Sequence, residues 1–129
     1  MDPFGHVNHA NTVTLLEEAR IEMLFVEAAR QGAQTMAGGM VVARLVVDYH
    51  VPLIANGAGV RVEVSVRTLK AASFTLDYVV HSGRSVDDAV VATAETLIVP
   101  YNLESGRPRR LTEAERDFLA GYRAGAGCA

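Results

Sequence analysis

The chain has 129 residues, half of them hydrophobic, a formal charge of −3 and a single cysteine. That length suits one domain with a real core, residues 1–129, and the mild acidity without a basic block excludes a dedicated nucleic-acid surface. One cysteine, Cys128, excludes an internal disulfide, and no apolar run approaches the ~20 residues of a membrane helix, so no membrane insertion is expected. With Met-Asp-Pro at the start and no signal peptide, the expected location is the cytoplasm.

The first stretch, Met1 to Asn11, gathers Asp2, His6, Asn8, His9 and Asn11 around Pro3 and Gly5. It runs into a helix expected from about Asn11 to Gln31, with Asn11 as N-cap or as a substrate contact. Leu16, Ala19, Met23 and Val26 recur at helical spacing, and Val13, Leu15, Leu24 and Phe25 widen the apolar part. A helix apolar over so much of its girth is buried on several sides, with Met23 and Phe25 in the core. Glu18, Glu22 and Arg20 mark its wet face, and Gly32 ends it.

Gln34 to Gly39 reads as a loop. Met40 to His50 is a strand stopped by Pro52, and Asn56-Gly57 is a hairpin signal. Val60, Val62, Val64 and Val66 then alternate with Arg61, Glu63, Ser65 and Arg67, which means a strand with one dry face. Lys70-Ala71-Ala72 turns the chain into a third strand, where Phe74, Leu76, Tyr78 and Val80 alternate with polar residues. Gly83 to Asp88 is a polar turn, and Val90 to Tyr101 is the last long strand. Leu103 to Arg110 reads as a polar loop. Thr112 and Glu115 form a capping box behind a possible staple at Leu111, opening a short helix to about Arg123. Residues 124–129 form a loose tail. Four long strands on short turns make an antiparallel meander, and the economical fold is an α+β arrangement with a curved sheet wrapped around the long helix.

Asp2-Pro3-Phe4-Gly5-His6-Val7-Asn8-His9-Ala10, followed by Glu17-Glu18-Ala19-Arg20-Ile21-Glu22-Met23-Leu24, resembles the hotdog-fold acyl-CoA thioesterases. The nearest branch is the 4-hydroxybenzoyl-CoA thioesterase-like group, with the Tol–Pal-associated thioesterases beside it. These carry an Asp-x-x-Gly-x-Val-x-His-Ala pattern and then a Glu-x-Ala-Arg helix. Asp48-Tyr49-x-x-Pro52 and Ser73-Phe74 also sit where such proteins have those residues. The resemblance implies a hotdog fold and hydrolysis of an acyl-CoA thioester to free acid and CoA. It also implies a strand and a further Asp ahead of Asp2. The sequence here starts at Met1, so either the start codon is placed too late or this version lacks that strand, a loss that would expose a sheet edge.

By the same resemblance, Asp2 is the essential carboxylate, acting as nucleophile or as general base for water. The plain alternative is an Asp that opens a turn before Pro3. The His9 backbone amide would polarise the thioester carbonyl at the start of the helix, and its imidazole would assist Asp2. Gly5 lets the backbone pass close to substrate, or simply turns. His6 either lines the pocket or packs in the loop. Lys70, near Ser73, is a phosphate contact for CoA or a solvated turn residue; Arg61, Arg67 and the Arg107-Pro108-Arg109-Arg110 run are further basic candidates. Leu15, Ala19, Met40 and Phe74 would set the depth of the acyl pocket. Glu17 and Glu18 are read as structural, and His50 and His81 as ordinary strand residues.

Asp2, His6 and His9 match no standard metal spacing, with no Cys or third His near, so no metal and no cofactor are expected. The expected partner is a second copy, as a homodimer or a homotetramer with active sites between subunits. Two other readings stand beside the hydrolase: a non-catalytic module binding acyl-CoA or an acyl carrier, and a hotdog hydratase or dehydratase, whose differently spaced Asp and His are not found.

Overall fold

The computed structural model describes residues 9–50, 61–81 and 90–123. The helical run begins at His9, as α1 (His9–Ile21), widens into a π-helical segment (Glu22–Glu27) and closes as α2 (Ala28–Arg30). Asn11 is therefore the third residue of the helix, and not its N-cap. Gly32 follows at φ 85, a left-handed conformation that glycine adopts without strain, and it ends the run as expected.

The π segment is the larger departure. Its wider turn shifts the apolar stripe out of the 3.6-residue period. Leu16, Met23, Leu24 and Ala28 are buried, but Phe25 and Val26 are 47% and 43% exposed, so neither is core. A 3₁₀ turn, Gln34–Gly38, replaces the expected loop and buries Met36. Gly39 then takes φ 149, with the Tyr101 carbonyl pressed so close that a Cβ would meet it at 2.8 Å.

Four long strands follow: β1 (Met40–Tyr49), β2 (Arg61–Leu69), β3 (Phe74–His81) and β4 (Val90–Asn102). All pairings are antiparallel, but the order is β1-β4-β3-β2. β2, β3 and β4 form the expected meander, whereas β1 pairs with β4, Met40 opposite Pro100 and Tyr49 opposite Ala92. Asn56-Gly57 therefore closes no hairpin between β1 and β2, which stand at opposite edges; the dipeptide itself lies outside the described residues, as do the 83–88 turn and the 124–129 tail. Bulges fall between Val42 and Arg44 and between Val66 and Thr68, where an extra residue sharpens local twist. The short strand β5 (Arg107–Pro108) pairs with the end of β4, inside the stretch expected to be loop.

The sheet curves over the helix. Phe74, Leu76, Tyr78 and Val80 point into the core from β3, with Val66 from β2 and Ile98 from β4. The alternation of apolar and polar residues read from sequence is thus the division between inner and outer sheet faces. Helix α3 (Glu113–Ala120) carries the full Thr112/Glu115 capping box and buries Phe118 and Leu119. After it, the Tyr122 carbonyl accepts from the Val66 amide at 2.7 Å, so the chain following α3 lies along part of the outer edge of β2.

Candidate active site

Asp2, Gly5 and His6 lie outside the described residues. His9 is the first residue of α1 and Asn11 the third. The opening amides of a helix have no carbonyl a turn earlier to bond, and they carry the positive end of the helix dipole. That gives the helix start its capacity to hold a carbonyl oxygen that gains charge.

The turn that carries Lys70 and Ser73 is closed by the Lys70 amide donating to the Ser73 carbonyl at 2.9 Å. Lys70 is exposed and Ser73 half-buried. The Leu111 amide donates to the Ala71 carbonyl at 2.9 Å, which sets Arg110 beside this turn. Chain connectivity places thirty-odd residues between them, so only the sheet brings the two basic positions together.

Three of the other basic candidates are already engaged. Arg61 pairs with Glu63, which also bonds the buried His81 ring at 3.1 Å. The Arg61 bond, then the His81 bond, holds the Glu63 carboxyl below its ordinary range. Arg67 spans Asp77 and Glu95 on the outer sheet face, at 2.8 and 2.7 Å. Arg109 is bound to Glu115. Arg107 and Arg110 are exposed and make no ion pair among the described residues, so they and Lys70 remain the available cations. His50 bonds the Thr93 hydroxyl at 3.1 Å and, like His81, serves the sheet.

A cleft of about 200 Å³ opens between the helix and the β1 side of the sheet. Leu24 and Ile98 form its buried floor, Met40 and Val42 one wall, and Ile21 and Phe25 its exposed rim. Of the residues expected to set pocket depth, Met40 lines it, while Phe74 is fully buried in the core.

Arg20, read from sequence as wet-face, turns into this cleft. Its guanidinium donates to the Tyr78 hydroxyl at 3.3 Å, and Tyr78 is 2.8 Å from the Thr96 hydroxyl. Arginine can only donate, so the Tyr78 hydroxyl accepts from Arg20, while in its bond with Thr96 either hydroxyl can be the donor. The signal was available in the spacing. Arg20 stands four residues after Leu16 and three before Met23, both buried, which puts it on the same helix face.

A model of the Thioesterase-like superfamily matches residues 1–120. The chain belongs to that superfamily. A thioesterase from Thermus thermophilus solved with coenzyme A and zinc is 30% identical, covering 96% of this chain and 86% of its own, with a TM-score of 0.74. A protein described as a predicted thioesterase from Bacillus stearothermophilus is 23% identical over 95% and 86%, with a TM-score of 0.78. No curated protein matches the sequence. The fold is the hotdog fold of these thioesterases, and the superfamily member described here is a thioester hydrolase. Among its described residues no three or more His, Cys, Asp or Glu side chains gather to hold a metal ion, and no helix is long and apolar enough to cross a membrane.

Proposed function

We propose that this thioesterase hydrolyses an acyl-CoA, giving free acid and CoA, on the pattern of the 4-hydroxybenzoyl-CoA and Tol–Pal-associated branches. The observation that carries the reading is the superfamily match through residues 1–120, which takes in the Asp2-to-Ala10 motif and the helix that opens at His9. The coenzyme A complex of the Thermus relative supports CoA as the carrier.

In this reading Asp2 attacks the thioester carbonyl or draws a proton from the attacking water. The His9 amide takes the oxygen as negative charge develops there, an interaction typically worth about 3–4 kcal/mol in the transition state. The His9 imidazole assists Asp2; Gly5, His6 and Asn11 frame the substrate. Lys70 and Ser73 meet the CoA moiety, with Arg110 beside them. The location proposed for it is the cytoplasm.

The partner is a second copy docked along β1. That strand is a sheet edge, and Val41, Val42, Leu45 and Tyr49 on it are 40–46% exposed. Lysine and proline are absent from its ten residues, and Arg44, Asp48 and the bulge at Val42/Arg44 interrupt an otherwise apolar edge. Ile21 and Phe25 extend the apolar surface onto the helix, beside the cleft.

The test is release of free thiol from a panel of short, medium and aromatic acyl-CoAs. Turnover of at least one is expected. No release from any member would reject acyl-CoA as the substrate, and tight acyl-CoA binding without turnover would favour a binding role.

A further inference from the structure

We infer that Tyr78, braced by Thr96, is a positioning residue for the hydrolysis: through Arg20 it fixes where α1 lies on the sheet, and so where the amides at the opening of the helix sit. This rests on the reading above, in which those amides hold the thioester oxygen.

The two parts of the helical run are held to the sheet differently. Among the described side chains, the buried apolar residues Met23, Leu24 and Ala28 all fall in the π segment or α2, and Leu16 alone falls in α1. Leu15 is only partly buried against the same core. The stretch that opens at His9 therefore has the thinner apolar hold. Apolar contact is also non-directional, so it resists lifting a helix off a sheet more than sliding or turning it there. A hydrogen bond adds the missing direction.

Arg20 supplies it. Thr12, Leu16 and Arg20 stand in one row, four residues apart, on the face of α1 that meets the sheet, and Thr12 and Leu16 are fully buried. At the far end of that row the Arg20 guanidinium donates to the Tyr78 hydroxyl at 3.3 Å. That hydroxyl bonds the Thr96 hydroxyl at 2.8 Å, and both side chains are buried. Tyr78 belongs to β3 and Thr96 to β4, the two strands with a neighbour on each side. The tether is thus anchored in the middle of the sheet. Arg20 is also the last residue but one of α1, just ahead of the π segment. From Arg20 back to His9 the run is regular α-helix, about 16 Å long, so a shift at Arg20 is carried to the opening amides. A misplacement of ~1 Å at the reacting atoms can cost on the order of 10²-fold in rate.

Tyr78→Phe removes the acceptor and keeps the ring. With the acyl-CoA that wild type turns over best, kcat should fall about tenfold, while the Kd of the matching non-hydrolysable CoA thioether stays within about twofold. Arg20→Leu should act alike. Adding Tyr78→Phe to it should slow the enzyme no further, because both substitutions break one tether. Arg20→Lys keeps a donor and should recover part of the rate; it also keeps the test open if the leucine variant does not fold. Leu119→Ala, a core substitution in α3, is the control. It should lower the thermal midpoint at least as much as Tyr78→Phe and leave kcat near the wild-type value. A kcat that follows the midpoint alike in Tyr78→Phe and Leu119→Ala is the mark of a purely structural tyrosine and overturns the inference. Additive losses in the double variant overturn it too. An active wild type matched by an equally active Tyr78→Phe sinks the inference alone, whereas a wild type that cleaves no acyl-CoA sinks the hydrolase reading and the inference together.

Discussion

The guanidinium of Arg109 grips the carboxylate of Glu115 with both terminal nitrogens, at 2.8 and 2.9 Å. Glu115 is fully buried and also accepts from the Thr35 hydroxyl and the Thr112 amide, both at 2.8 Å. One carboxylate thus ties together the 3₁₀ turn after the long helix, the chain leaving β5, and the start of α3. Residues 35 and 115 are far apart in sequence, so this clamp fixes the C-terminal helix against the segment that feeds β1.

Glu115→Ala should be among the most damaging substitutions away from the catalytic residues. It strands the Arg109 charge and the Thr35 hydroxyl and removes half of the capping box. Losing one partner of a buried ion pair costs roughly 3 kcal/mol or more. Thr112→Ala removes the cap oxygen alone and should cost about 1 kcal/mol. Urea unfolding measures both, and a Glu115→Ala loss no larger than that of Thr112→Ala would dismiss the clamp.

The same carboxylate should shape the acid limb of stability. Burial pushes the Glu115 carboxyl upward, but the bonds from Arg109, Thr112 and Thr35 outweigh it and hold it below the ordinary 4.5. A group with a depressed folded pKa binds fewer protons folded than unfolded. Its stabilisation is present above about 4.5 and is lost as pH falls through the folded value. Glu115→Gln, close in shape and without charge, should be less stable than wild type at neutral pH, and the gap should narrow as pH drops below 4.5. A gap constant across that range would mean that ionisation of Glu115 is not what stabilises the fold.

How far the sequence could be read follows from which interactions are local. Strands β2 and β3 were legible because Val62, Val64 and Val66, and then Phe74, Leu76 and Tyr78, repeat at the period that separates sheet faces. Thr112 with Glu115 was legible because a capping box closes within four residues. The pairing of β1 with β4 was not: Val47 and Ala94 carry no mark of one another, and Asn56-Gly57 offered a nearer false partner. The π segment hid because the period it breaks, at Phe25 and Val26, is the one used to detect helices. At the candidate site, His9 could be placed at a helix start from its motif. Arg20 was misplaced, since a charged residue reads as solvated until a buried Tyr78 is found beneath it.

Asp2→Asn should separate chemistry from fold. The amide keeps the shape of the carboxylate but can neither attack nor take a proton from water. A positioned acid or base contributes on the order of 10²–10⁴-fold, and kcat should fall by that much with thermal midpoint and solution mass unchanged. A rate within a few-fold of wild type would remove Asp2 from the mechanism and leave the helix start without its carboxylate.

Leu45→Lys probes the open edge. Leu45 stands opposite Thr96 in the β1–β4 register and is 40% exposed, next to Val42, which lines the cleft. If a second copy covers this strand, a buried lysine ammonium at the seam is left without a partner, and association weakens by several kilocalories per mole. Wild type should sediment as a dimer or tetramer at micromolar concentration and Leu45→Lys as a monomer, still folded by circular dichroism. Because the cleft opens on the same surface, turnover should fall along with mass and recover at high protein concentration. A monomeric wild type, or a variant that keeps its mass, would show that β1 meets water, and the exposed valines on it would need another explanation.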